Sequence, residues 1–472
     1  MNKNIQREIL NEFNKSNFRK AYDLAINLDA KEKNEIILKI LTISSFKIEN
    51  YSNAIRHGLD YLKLQDQNKN IQILNIIGTS YSILRNYDLG NKFLEEALLI
   101  DHKNISIRYN LALNLYNQKK FKESGEQFIN IIDKDEDYRD SELFYGIIQS
   151  ELKNFRKSID IFEELIEKGK YKSQTHYNLG IVYQNINDYE LSIKHLKKAI
   201  GYDNKQSKYY NSLGISFQKI FKFDKAKSCY EKAILLNKNY SKAYSNLALL
   251  KQKNGLFDEA IKYYDIALEK KPKDNEILYN KSICQLEHGN FEEGLKLYKW
   301  RQNGKFISSD KFNLNNINNK KILITCDQGL GDIILSSRFV KALPKYGAKV
   351  TFQIPKGMES LMQNLSSDVE IISEENLSTN FDYKCTLGDL FEIFNISKSN
   401  IPFTREYLII EKKWIDKWKN KLDNNKFNIG IAWQGKKGGA LDEGRSLELR
   451  NFESISNIKN INLVSLQKND GV

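Results

Sequence analysis

The 472-residue sequence predicts an α-solenoid of stacked helix pairs followed by an α/β region built on a parallel sheet. Three observations carry this. Segments starting at Ile71, Ile105, Arg139, Ser173, Ser207, Ser241 and Asn275 follow one another at a fixed 34-residue period, and self-similarity at that spacing marks an array of helical repeats. From Lys321 the period is lost and short apolar runs alternate with helical stretches, the pattern of strands joined by crossover helices. Between the two regions, 302–320 is polar and rich in Asn and Ser, the composition of a linker.

Within the array the match is positional as well as periodic. In the segment from Ser207, Tyr210, Leu213, Gly214, Phe217, Phe223, Ala226, Tyr230 and Ala233 stand at repeat positions 4, 7, 8, 11, 17, 20, 24 and 27. The next segment repeats this with Tyr244, Leu247, Ala248, Phe257, Ala260, Tyr264 and Ala267. Small residues at 8, 20 and 27 let two antiparallel helices approach closely, and aromatics at 4, 17 and 24 fill the remaining space. These residues resemble the tetratricopeptide (TPR) repeat. Two looser copies precede the regular ones, one near Asn2 with Phe18 and Ala21, the other from Glu35 with Tyr51 and Ala54. The expectation is therefore about nine repeats over 1–301, stacked into a right-handed superhelix with a concave surface that binds a protein or peptide.

Asn110, Asn178, Asn246 and Asn280 all occupy position 6, on the first helix of a repeat. A ladder of amides there would hydrogen-bond the backbone of an extended peptide whatever its sequence. The arrangement resembles the asparagine ladder of the TPR arm in O-linked N-acetylglucosamine transferases. It is interrupted by Ile76, Phe144 and Ser212, and Asn is also simply common at this position. The last repeat ends in Tyr298-Lys299-Trp300-Arg301, with Arg301 where a small residue is usual, so the stack terminates there.

Composition narrows the function classes. A chain with 41% hydrophobic residues buries substantial cores, and its length predicts two to four domains. No apolar run of about 18 residues occurs, so no membrane span is expected. The polar start, MNKNIQREILNEF, has no apolar leader segment, which gives a cytoplasmic expectation. Cys229, Cys284, Cys326 and Cys385 are far apart and lack metal-ligand spacing, reading as reduced core thiols. The net charge of +13 is spread along the chain with abundant Asn and Ile, and no basic stripe with interleaved aromatics points to nucleic acid.

In the α/β region, strand-like runs at 322–326, 349–354, 369–372, 381–386 and 427–433 alternate with helical stretches at 333–343, 357–365 and 413–422. Gln328-Gly329-Leu330-Gly331-Asp332 joins the first strand to the first helix. Two glycines there allow a tight turn and close approach of a ligand, and the helix N-terminus offers free N–H groups to a phosphate. The same residues also suit an ordinary strand-to-helix turn. A dinucleotide fingerprint is excluded, since Ile334 replaces its third glycine and Ile354-Pro355 stands where an acidic residue should end the second strand. A P-loop is excluded too. All five histidines lie in the repeats, so proton transfer in this region would fall to a carboxylate.

The order ILITCDQGLGDIILSSRFVKAL, GAKVTFQIP, FDYKCTLGDLFEIF, NIGIAWQGKKGGALDEGRSLEL, after an arm ending YKWR, resembles bacterial TPR proteins with a glycosyltransferase module related to ADP-heptose:lipopolysaccharide heptosyltransferases. The resemblance implies a GT-B fold of two facing Rossmann-like lobes: 321–411 as the N-terminal lobe, 412–425 as a connecting helix and 426–472 as the start of the donor lobe. It implies a nucleotide-diphosphate sugar as co-substrate, with no metal and no other cofactor. Asp332 would be the general base. Gln328, Gly329, Gly331, Gln434, Lys436, Lys437, Arg445 and Ser446 would hold the donor and its diphosphate. The sequence stops at Val472, just after the second strand of the donor lobe, so this chain is expected to be inactive as it stands. The leading reading is a TPR-containing glycosyltransferase-like protein acting on a protein or glycan. The alternative is a non-catalytic TPR scaffold with a vestigial transferase domain.

Overall fold

The computed structural model describes residues 3–28, 34–64, 70–302, 312–327, 329–373, 380–397, 399–403, 406–419, 421–423, 425–433 and 446–467. They form two compact units, Met1–Ile277 and Leu278–Val472. Among the described residues, nine helix pairs run from Lys3–Asn14 and Phe18–Ile26 to Asn275–His288 and Phe291–Tyr298, and no helix is long and apolar enough to cross a membrane. The compact boundary thus falls within the ninth pair, upstream of the compositional linker at 302–320. Leu286, Phe291 and Leu295 of that pair pack into the core of the α/β unit.

Local chemistry sets the helix ends of the first unit. Asn34 and Asn104 accept hydrogen bonds through their side chains from Ile37 N (3.1 Å) and Ile107 N (3.2 Å), satisfying orphan donors of the first turn. Inside the regular repeats, the turn between the two helices places position 15 in the left-handed region: Arg85, Lys119, Lys153, Asn187, Phe221 and Gly255 have φ between 59° and 73°. Only Gly255 among these six adopts that conformation without steric cost.

The two helices of a pair meet through position 8. A Cβ built on Gly214 would lie 2.5 Å from Tyr230 Cε1, one on Gly146 2.6 Å from Phe162 Cε1, and one on Gly180 2.8 Å from Leu196 Cγ. Tyr230, Phe162 and Leu196 are fully buried at position 24. Each helix packs on its partner, on the next pair, and, for first helices, on the first helix of the following repeat. Successive small clusters such as Leu213, Tyr230 and Leu247 then form a core that is continuous but local.

In the second unit, β1 (Lys321–Thr325), β2 (Lys349–Gln353), β3 (Val369–Ile372) and β4 (Tyr383–Thr386) form a parallel sheet in the order β3-β2-β1-β4. Ile322 pairs with Val350 and Ile324 with Phe352 and Cys385, and these residues are buried, as strands covered on both faces require. β5 (Phe427–Ile431) and β6 (Ile461–Ser465) form a separate two-stranded parallel sheet.

Several elements differ from their sequence bounds. The first helix is Leu330–Ala342, so Gly331 and Asp332 fall inside its first turn. The stretch 357–365 contracts to Glu359–Met362, since Gly357 at φ 93° cannot open a helix. The connecting helix is Lys412–Lys419, and none of its residues is buried. Phe427 and Leu466 are also exposed, as expected of a strand pair with little to cover it. The fold seen is a small parallel sheet; the two-lobed arrangement implied by the resemblance rests on sequence alone.

Candidate functional site

A pocket of about 560 Å³ lies on the first-helix face of the repeats. Four successive first helices reach it or its rim: Tyr116 of Ile105–Asn117, Phe144 and Glu151 of Ser141–Glu151, Tyr177 and Asn178 of Lys172–Asn185, and Lys208 of Ser207–Lys219. Its floor is apolar, with Leu143, Ile147 and Ile181, and its rim carries amides and charges. Lys208 Nζ stands 5.1 Å above the Tyr177 ring, and burial pushes the Tyr177 hydroxyl pKa upward. On the other flank Tyr109 OH donates to Asp140, and the Arg139 guanidinium lies 4.7 Å from the Tyr109 ring centre.

Of the four ladder asparagines, Asn178 lines this pocket. Asn110 Nδ2 donates to Asn75 Oδ1 (2.9 Å) and to Thr79 Oγ1 (3.3 Å), and Asn246 Nδ2 donates to Asn211 Oδ1 (2.9 Å). These amides tie position 6 of one repeat to position 5 of the repeat before it. Part of their hydrogen-bonding capacity is therefore structural. Asn280 is half-buried in the ninth pair, on the second-unit side of the boundary. The residues missed by sequence reading are Asn75 and Asn211, whose signal is an offset of 35, one more than the period.

His176 and His195 face each other across the same repeat, Nδ1 to Nδ1 at 3.1 Å, with His176 stacked on Tyr202. One ring must donate and the other accept, so the pair is built for neutral imidazoles. Burial, then His176, Lys198 and Lys194, pushes the His195 pKa down to about 4, and burial followed by Lys198 lowers that of His176. A histidine depressed in the folded state binds its proton more readily when unfolded. Its contribution to stability is complete above about pH 6.5 and is lost as pH falls through about 4. Thermal melts of the full chain are expected to lose on the order of 1–2 kcal/mol across that window beyond what the carboxylates cause, allowing for the half-exposed ring. His195→Gln should remove this component, and an identical pH profile for that variant would refute the assignment. In the preceding repeats Glu136, Glu142 and Glu164 converge, and Lys168 Nζ sits among them, 3.0 Å from Glu142 and 2.8 Å from Glu164, occupying the place a cation would take.

At the C-terminal end of β1, Gly329 is the N-cap of Leu330–Ala342 in extended conformation, with no side-chain cap. Gly331 and Asp332 are exposed. Asp332 Oδ2 lies 3.4 Å from where a Cβ on Gly329 would stand, folding the carboxylate back over the turn. Gln328, Gln434, Lys436, Lys437 and Arg445 lie outside the described residues, and Ser446 is half-buried at the end of that loop. The structure thus brings Gly329, Gly331 and Asp332 together and leaves the donor-loop residues undescribed.

Sequence reading missed the ionic cluster beside this turn. Arg301 Nε donates to Asp327 Oδ2 (2.9 Å), and its second arm donates to Thr386 Oγ1 (2.6 Å) and Asp389 Oδ1 (2.8 Å). The guanidinium lies against Gly388, where a Cβ would meet its Nε at 2.5 Å. The one hint in the sequence was an arginine at repeat position 27. A cavity of about 900 Å³ lined by Lys321, Lys345, Lys349 and Phe403 sits at the opposite, N-terminal edge of the sheet, away from this turn.

Comparison with known proteins identifies the repeats. Tetratricopeptide repeat profiles match residues 173–206, 207–240 and 245–300. No curated protein matches the chain. Among solved structures, a tetratricopeptide repeat protein from Parabacteroides merdae is 13% identical, with TM-score 0.49, over 53% of this chain and 98% of that one. The APC/C hetero-tetramer Cut9-Hcn1 is 13% identical, with TM-score 0.42, over 61% of this chain and 57% of that one. YrrB, described as a TPR protein with an unusual peptide-binding site, is 18% identical, with TM-score 0.30, over 38% of this chain and 95% of that one.

Proposed function

We propose, for a chain whose residues 173–240 and 245–300 match tetratricopeptide repeats, that the repeats are a protein-interaction scaffold holding an extended segment of a partner on the first-helix face. The observation that carries this reading is a pocket lined from four successive first helices, apolar below and amide-bearing at its rim. Such a surface offers a side-chain socket with backbone partners beside it. The test is to pan a displayed library of twelve-residue segments against the full chain. Asn178→Arg, which fills the pocket mouth, is expected to weaken the enriched peptides at least tenfold, while Lys232→Glu on an outer helix leaves them unchanged. Equal loss or no loss in both variants would remove the groove from the function.

A second reading is favoured by one feature of the α/β unit. The order β3-β2-β1-β4 reverses between β1 and β4, and the Gly329-Leu330-Gly331-Asp332 turn sits at that reversal. Parallel sheets with this kind of reversal bind ligands there. On this reading Asp332 is the base for transfer from a nucleotide-diphosphate sugar. Given an acceptor and a chain that turns over, Asp332→Asn is expected to abolish transfer while preserving donor binding; undiminished transfer would exclude Asp332.

A further inference from the structure

The identity of the partner segment follows from how charge is distributed on the face that the pocket defines, taking the scaffold reading above as given. The pocket fixes which repeat positions look onto this face. Asp140, Gln174 and Lys208 are at position 2, Leu143 and Tyr177 at position 5, and Glu151 and Asn185 at position 13. In the next two first helices, Ser207–Lys219 and Ser241–Lys253, positions 2 and 13 are lysine in every case: Lys208, Lys219, Lys242 and Lys253. Neither helix contains an aspartate or glutamate. The acids of these repeats lie on the second helices, as Asp224, Glu231, Asp258 and Glu259 do, apart from Asp274 in the loop that follows. Lys251 of the second of these helices is engaged with Glu259 at 2.7 Å.

We infer that the partner is an acidic protein segment with an apolar anchor, the anchor seated in the Phe144–Tyr177 pocket and the acidic residues running along Lys208, Lys219, Lys242 and Lys253. In a lysine-rich chain a random distribution would put acids on both helix faces of a repeat. Here they are segregated. The opposite flank of the pocket carries Asp140 and Glu151, which repel an acidic segment and so send it toward the lysines. The amides of Asn178 and Asn246 recur at position 6 of these helices. Packed helices stand about 8–10 Å apart, and an extended chain advances about 3.3–3.6 Å per residue. Lysines on neighbouring repeats therefore meet every second or third residue of the partner.

Two measurements on the full chain test this. In the library panning described above, the enriched segments are expected to carry an aromatic or aliphatic residue followed or preceded by Asp or Glu at two- or three-residue intervals. A fluorescein-labelled peptide of that pattern, measured by anisotropy, should bind at least tenfold tighter than its Gln analogue at low salt, with the advantage shrinking as salt rises. Lys242→Glu with Lys253→Glu, both clear of the pocket lining, should erase the advantage of the Glu peptide over its Gln analogue. Enrichment of neutral or basic segments, or equal binding of the Glu and Gln peptides, overturns the acidic assignment and leaves the scaffold reading intact. Tighter binding of a single-stranded oligonucleotide than of any acidic peptide also overturns it. Failure to enrich any segment defeats the scaffold reading and this inference together.

Discussion

Replacing Arg301 by alanine is expected to destabilise the α/β unit by about 3–5 kcal/mol, the cost of leaving buried carboxylates without their cation. The Arg301 side chain is 9% exposed and that of Asp327 only 5%, so little water reaches the pair to compensate. Asp389 is less affected, since it also accepts from Thr386 N (2.8 Å) and Thr386 Oγ1 (3.0 Å). The energy lost is that of an uncompensated charge rather than the net worth of the ion pair, and a second variant separates the two. Arg301→Met combined with Asp327→Asn and Asp389→Asn removes all three charges and should recover most of the loss. Trp300, Trp414, Trp418 and Trp433 all lie in the second unit, so tryptophan fluorescence in a urea titration reads this unit selectively. A loss below about 1 kcal/mol for Arg301→Ala would show the cluster to be no stronger than a surface ion pair.

Gly214→Val should destabilise the repeats by about 3 kcal/mol, from overpacking together with a β-branched residue in a helix. The Cβ would sit 2.5 Å from Tyr230 Cε1 and 2.8 Å from Cδ1, and the ring cannot retreat easily because it is fully buried with its hydroxyl bonded to Gln218 Oε1 at 2.8 Å. Gly214→Ala should cost much less. In the next repeat Ala248 occupies the same position opposite Tyr264, whose hydroxyl bonds Gln252 Oε1 at 3.0 Å, so the geometry admits a methyl after a small shift. Helical circular dichroism would record the loss, while tryptophan fluorescence of the second unit stays unchanged. A valine variant as stable as the alanine variant would mean that the helix pair is not closely packed at this point.

These two residues also show how far the sequence could be read. Gly214 was legible because its role repeats: every copy needs a small residue at position 8, and periodicity exposes it. Strands β1 to β4 were legible from their short apolar runs, and the structure keeps each within two residues of its reading at either end. Arg301 stood out only as a departure from the repeat. Its partners Asp327 and Asp389 are 26 and 88 residues away, and no local pattern announces them. The asparagines of position 6 stood open between an interrupted peptide-binding ladder and residues simply common at that place in the repeat. The bonds from Asn110 to Asn75 and from Asn246 to Asn211 depend on how one first helix sits beside the next, which only the packed stack defines. The His176–His195 pair escaped notice because histidines 19 residues apart are neighbours only after the helix pair folds back on itself.

The nearest-neighbour packing of the repeats has a mechanical consequence. In the first unit each helix is held by the helices next to it in sequence and, for first helices, by those one repeat away. Among the described residues, a load applied along such a stack meets no strand pairing or crosslink that spans it from end to end. Tension would peel the unit from its extremities, one pair at a time, each release lengthening the tether by a similar increment. A partner gripping the middle repeats would stiffen the segment it covers while the outer pairs still yield, making the bound array a spring with a reinforced centre.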